Sequence, residues 1–124
     1  MSDMNWMKPK EHFEWLQKCL DCWRLSEEFI FQSIQQGKNI EIINMCRDVA
    51  EMCSQCIKFE AQRSPFFQQL CEVCAQICEL ALTNLEEIKN QDQLCLDVIE
   101  SNKALIISCL EIAQLKKQDM VDDN

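Results

Sequence analysis

Gly37 is the only glycine in this chain, and Pro9 and Pro65 are its only prolines. A β-sandwich or barrel needs turn residues about every 8–12 positions, and so few breakers cannot punctuate one. Between the breakers, apolar residues recur at three- and four-residue intervals, the helical period. They fall in blocks at roughly Lys10–Gln36, Ile40–Gln62, Pro65–Lys89 and Gln93–Lys117, each long enough for about six or seven turns. The breaks carry their own signals. Gly37, Lys38 and Asn39 separate the first two blocks, with Asn39 suited to cap the second. Ser64 suits an N-cap and Pro65 the first helical position, where its missing N–H costs nothing. Asn90-Gln91-Asp92 supplies the third break, with Asp92 as the cap. Loops this short join antiparallel neighbours, so the expected fold is all-α: an antiparallel up-down-up-down four-helix bundle, one domain over residues 1–124. The polar tail Asp119–Asn124 is expected to fray.

Composition narrows the partners. With 48% apolar residues the chain can bury a core, and 12 Lys+Arg against 21 Asp+Glu leave a formal charge of −9. Nucleic acid would be repelled by that field. No apolar run approaches the about 18 residues of a membrane span, and MSDMNWMKPKEHFEWLQ lacks the basic and apolar regions of a signal peptide. The expected location is therefore the cytoplasm, with no membrane partner. There a reducing environment disfavours disulfides, so ten cysteines call for core packing, metal binding or thiol chemistry.

The cysteines are Cys19, Cys22, Cys46, Cys53, Cys56, Cys71, Cys74, Cys78, Cys95 and Cys109, spaced within the blocks by 3, 7, 3, 3, 4 and 14 residues. At about 100° per residue these steps return to nearly the same azimuth, so each helix turns its thiols inward. Counting from the turns gives depth. Cys19 and Cys22 lie 18 and 15 residues before Gly37, and Cys53 and Cys56 lie 16 and 19 after it. The same count about Ser64 and Gln91 brings in Cys71, Cys74 and Cys109. Seven cysteines thus fall in one slab about a turn thick, with Cys78 roughly a turn deeper and Cys46 and Cys95 toward the opposite end.

Such a slab suits a soft ion of low coordination number. Thiolates are the preferred ligands of Cu(I), and sulfurs at i and i+3 or i+4, or facing across helices, can hold it without carbonyls or waters. Zinc is the competing ion: Cys53/Cys56 with Cys71/Cys74 could supply four thiolates, although structural zinc usually joins small loop-rich modules. Iron–sulfur ligands usually lie on loops rather than mid-helix. No metal at all is the bland alternative, since free Cys is a small, readily buried hydrophobe; packing is the better reading for the isolated Cys46 and Cys95. Met1, Met4 and Met7, with His12 and Met120, would gather at the slab's open mouth as weaker ligands for an incoming Cu(I) ion.

At this point the residues resemble a known family. SPFFQQLCEVCAQIC (Ser64 to Cys78), preceded by CRDVAEMCSQC (Cys46 to Cys56) and with CLDC (Cys19 to Cys22) in support, is similar to the cysteine-rich four-helix-bundle copper storage proteins. The likeness runs from about Trp15 to Cys109. It implies Cu(I) storage by core thiolates, a homotetramer of bundles and a cytosolic location, with all ten cysteines at matched ligand positions. The chain departs from the family where Trp15, Ser26, Phe29, Ser33, Ile42, Val49, Ala81, Leu85, Val98, Asn102 and Leu105 stand at positions that commonly carry Cys. Roughly half the sulfur is replaced, mostly by apolar residues, which implies an ordinary hydrophobic core at the far end and a lower capacity.

Catalytic constellations are poor. His12 is the only histidine, so Cys/His, Ser/His/Asp and di-iron sites all lack their parts, and the chain holds neither a glycine-rich phosphate loop nor H-E-x-x-H. The expected function is Cu(I) storage or buffering rather than catalysis. The alternative is a degenerate bundle that has lost metal and serves as a structural or interaction module, with Trp6, Trp23 and Phe31 hinting at self-association. A thiol redox protein would require a reactive, accessible thiolate.

Overall fold

The computed structural model describes residues 7–122, with side chains as far as residue 114. Its elements are α1 (Pro9–Gln35), α2 (Ile40–Ala61), α3 (Phe67–Glu86) and α4 (Gln93–Asp122), with no strand among the described residues. The ends show why the helices stop where they do. Pro9 opens α1, and the Glu11 carboxylate accepts the Lys8 N–H at 2.9 Å. Gly37, at φ 64, closes it, with Lys38 N–H bonded to Ser33 O at 2.9 Å, the left-handed closure that glycine favours. Asn39 caps α2 by accepting the Glu41 N–H at 2.8 Å. Asp92 caps α4 by accepting the Cys95 N–H at 2.9 Å.

Three boundaries differ from the sequence-based expectation. Ser64 does accept the Phe66 N–H at 3.1 Å, but Phe67 N–H turns tightly back to Ser64 O at 3.2 Å. The α-helix proper therefore starts at Phe67 rather than Pro65. At the other end, Gln91 Nε2 donates to the carbonyls of Leu85 and Glu86 at 3.3 and 3.2 Å, and α3 stops at Glu86, short of Lys89. Helix α4 continues to Asp122, so the tail expected to fray from Asp119 is helical through that residue.

The helices form a ring in which α1 packs on α2 and α4, and α3 packs on α2 and α4. Polar contacts set the register. His12 meets Glu60, and Cys19 Sγ–H donates to Cys53 O, between α1 and α2. Trp15 meets Cys109 and Gln32 meets Asp92 between α1 and α4. Cys56 reaches Leu70 O between α2 and α3, and Gln68 reaches Ala113 O between α3 and α4. Followed along the axis, these contacts stack the buried residues in layers, one from each helix. From the Gly37 end they run Phe29, Ile43, Leu85 and Cys95, then Ser26, Cys46, Ala81 and Val98, then Cys22, Val49, Cys78 and Asn102. Next come Cys19, Cys53, Cys74 and Leu105, and finally Trp15, Cys56, Cys71 and Cys109; every one of these residues is buried. Among the described residues no helix is long and apolar enough to cross a membrane.

Candidate metal centre

All ten cysteines are buried free thiols. Eight of them, Cys19, Cys22, Cys53, Cys56, Cys71, Cys74, Cys78 and Cys109, fall in three consecutive layers and form one connected cluster in which each thiol perturbs its neighbours. Cys53 contacts Cys19, Cys22 and Cys74. Cys74 contacts Cys109, Cys53, Cys56 and Cys78. Cys22 reaches Cys78, and Cys71 links Cys56 with Cys109. The sulfurs thus extend over about 10 Å, or two helical turns. The expected slab of a single turn is corrected accordingly: Cys22 lies level with Cys78, a layer deeper than Cys19 and Cys53, while Trp15 takes the fourth corner beside Cys56, Cys71 and Cys109.

The thiols of this cluster perturb one another in both directions. Hydrogen bonds from Cys53 and then Cys78 pull the Cys22 thiol below its ordinary range, and the Ser101 and Ser26 hydroxyls beside it act the same way. Cys71 and then Cys74 do this for Cys56, and Cys109 and then Cys53 for Cys74. Their partners are held protonated. Cys53 is raised by its bonds to Cys19 and Cys22, Cys71 by those to Cys109 and Cys56, and Cys78 by those to Cys22 and Cys74. At Cys19 the bond with Cys53 pulls downward, but burial and the neighbouring sulfurs prevail. At Cys109 the bond with Cys71 also pulls downward, and Cys74 and burial outweigh it. Sulfurs whose ionisation is eased lie beside others whose protons are held, which offers a soft cation donors to bind and S–H protons to displace. Among the described residues no group of three or more His, Cys, Asp or Glu side chains stands ready to hold a metal ion.

Cys46 and Cys95 stand apart. Burial pushes Cys46 up to about 12, with Cys22 and Cys95 adding to the rise. Burial also raises Cys95, against the pull of Lys38. The far end is not wholly apolar as expected: Ser26 and Ser33 are buried there, Asn102 is buried in the neighbouring Cys22 layer, and Ser33 Oγ and Asn102 Oδ1 lack hydrogen-bond partners. At the opposite end Met7 is buried, and His12 Nδ1 lies 2.7 Å from Glu60 Oε1. Met1 and Met4 lie outside the described residues, as does the side chain of Met120.

The Cys46 shift has a measurable consequence. Its thiol ionises near 9.0 when unperturbed and near 12 in the fold. Between those values the unfolded chain gives up the proton and the folded chain keeps it. The metal-free protein should therefore lose stability as pH rises from about 9 to 12, this thiol contributing about 1.4 kcal/mol per pH unit. Chemical denaturation across that range should show a flatter loss for Cys46→Ala; an unchanged slope would contradict the assignment.

Sequence reasoning missed four participants. Trp15 donates its indole N–H to Cys109 Sγ at 3.5 Å. Ser26 and Ser101 flank Cys22, and Glu60 holds His12. Ser26 and Glu60 carried a signal in the heptad-like step that aligns them with Cys19 and Cys53 on their own helices.

Comparison with known proteins agrees with this geometry. Residues 8–114 match the family described as copper storage protein. An uncharacterized cysteine-rich protein of Bacillus subtilis strain 168, YhjQ, is 25% identical over 67 residues, which span 52% of this chain and 62% of that protein. The solved structure of the Cu(I)-bound copper storage protein BsCsp3 superposes with a TM-score of 0.77 at 21% identity, covering 83% of this chain and 98% of that one. At that identity the likeness is one of fold.

Proposed function

This chain belongs to the copper storage protein family, and from that premise we propose that its eight connected thiols take up Cu(I) and hold it in the interior of the bundle. The observation that carries the reading is the continuity of the sulfur network through three layers. Each ion replaces S–H protons with Cu–S bonds, so the core exchanges weak hydrogen bonds for strong soft-donor ligation without admitting water. Neighbouring pairs such as Cys53/Cys74 and Cys56/Cys71 supply the ligands in two- or three-coordination. The role is storage rather than catalysis.

Capacity is reduced relative to a bundle lined with sulfur throughout, and Cys46 and Cys95 act as packing residues. Met7 and His12, one turn beyond the outermost thiol layer, serve as weaker ligands that pass ions inward, together with Met4. The thiols require a reducing compartment, which favours the cytoplasm. Exposed Phe13, Phe31 and Leu80, with the family resemblance, favour a homotetramer.

The test is an anaerobic Cu(I) titration of the reduced protein against a chromogenic chelator. Several ions per chain should be withheld from the chelator, with the same number for Cys46→Ala/Cys95→Ala. If the native protein withholds none, storage is refuted and the bundle is left as an interaction module; if Cys46→Ala/Cys95→Ala loses capacity, the division of the core is wrong.

A further inference from the structure

The thiol end of the bundle carries a cavity of about 540 Å³, lined among others by Met7, Lys8, His12, Phe13, Glu60 and Arg63. Its size does not match a bare ion. A water molecule takes up about 30 Å³, whereas cavities of several hundred Å³ hold small organic ligands. The cavity lies about one helical turn from the outermost sulfur layer: on α2 Glu60 follows Cys56 by four residues, and on α1 His12 precedes Trp15 by three.

Its lining combines two kinds of group. Met7 is 3% exposed, and His12 Nε2 is buried without a hydrogen-bond partner while Nδ1 is fixed by Glu60. Thioether and imidazole are donors for a soft metal. Beside them stand two cations, Lys8 and Arg63, on a chain whose formal charge is −9. Arg63 is held at φ 56, the left-handed position that ends α2, where Ser64 N–H closes onto Phe59 O at 3.0 Å. Glycine usually occupies that position, and a side chain there is strained. The chain keeps an arginine at this strained position, and Arg63 lines the cavity.

We propose that this cavity docks an anionic, low-molecular-mass thiolate complex of Cu(I), with Lys8 and Arg63 holding the carrier's carboxylates beside Met7 and His12. The inference rests on the storage reading and names the donor from which the store is filled. Transfer is ligand exchange: the carrier's S–Cu bond breaks, a protein S–Cu bond forms, and the proton of the protein thiol passes to the departing carrier sulfur. Copper stays Cu(I) throughout, and no oxidant or reductant is consumed.

The experiment follows loading by stopped flow from two sources, Cu(I)–glutathione and Cu(I) in dilute acetonitrile, for the native chain and Lys8→Gln/Arg63→Gly. Glycine suits the backbone at position 63, so the variant should fold at least as well, which its thermal melt checks. Loading from Cu(I)–glutathione should slow about tenfold or more at low salt, and the difference should shrink as ionic strength rises. Loading from acetonitrile and the final copper content should be unchanged. Equal rates for native and variant with glutathione, or equal slowing with both sources, would overturn the docking site while leaving storage intact. No uptake by the native chain from either source would instead overturn the storage reading, and the docking site with it.

Discussion

Replacing Cys53 and Cys74 together by alanine is expected to abolish most Cu(I) uptake while leaving the helices in place. These two sulfurs are the junctions of the network. Cys53 contacts Cys19, Cys22 and Cys74, and Cys74 contacts Cys53, Cys56, Cys78 and Cys109. Without them Cys19 loses its strongest sulfur partner, Cys22 and Cys78 are left at one end of the cluster, and Cys56, Cys71 and Cys109 are left at the other. A capacity built on shared thiolates should then fall by more than the simple share of two ligands. Each substitution removes one buried heavy atom, a change comparable to a lost methyl, so the stability cost is about 1 kcal/mol apiece. The measurement is bound copper per chain under chelator competition, with far-ultraviolet circular dichroism alongside. Native-like capacity in a folded double variant would mean that copper is held somewhere other than in this network.

The architecture was legible because helical period and breakers act locally. Asn39 and Asp92 make the capping bonds their residue types suggest, while Ser64 closes only the turn before α3, and the three- and four-residue cysteine steps do bring every thiol to the buried face. The ends of α3 and α4 were harder to read. Gln91 terminates α3 through its side-chain amide, and nothing about a glutamine in a break announces that role. The depth of the sulfur was only partly legible. Counting from turns assumes that neighbouring helices start level, whereas the register is fixed by contacts distant in sequence, such as His12 with Glu60 and Trp15 with Cys109. A shift of less than one turn sets Cys19 level with Cys53 rather than Cys56 and brings Cys22 level with Cys78. The resemblance set Ser26, Ser33 and Asn102 at positions that commonly carry Cys, but whether their oxygens find partners there depends on packing, which residue type alone does not show.

Trp15→Ala should produce the largest loss of stability among single substitutions in the thiol half of the bundle. Trp15 is fully buried, its ring meets Phe67 edge-on at 4.8 Å and 86°, and its indole N–H donates to Cys109 Sγ at 3.5 Å. Truncating a core tryptophan costs about 3–5 kcal/mol, partly from lost burial and partly from the cavity left behind. For a chain of this size that corresponds to a fall of about 15 °C in the melting temperature of the metal-free protein. Trp15→Phe separates the two contributions, since it keeps an aromatic ring against Phe67 but removes the donor to Cys109, and its cost should be about 1–2 kcal/mol. Copper then distinguishes a packing role from a ligand-positioning one. Metal bound only by the folded state stabilises it by mass action, so loading should raise the melting temperatures of the native chain and Trp15→Phe together. If Trp15 merely fills the fourth corner of the outermost sulfur layer, loaded Trp15→Ala should recover by the same increment. A smaller increment would show that the indole also holds Cys109 in the orientation that copper requires. A metal-free Trp15→Ala protein that melts within a few degrees of native would contradict the packing described for this layer.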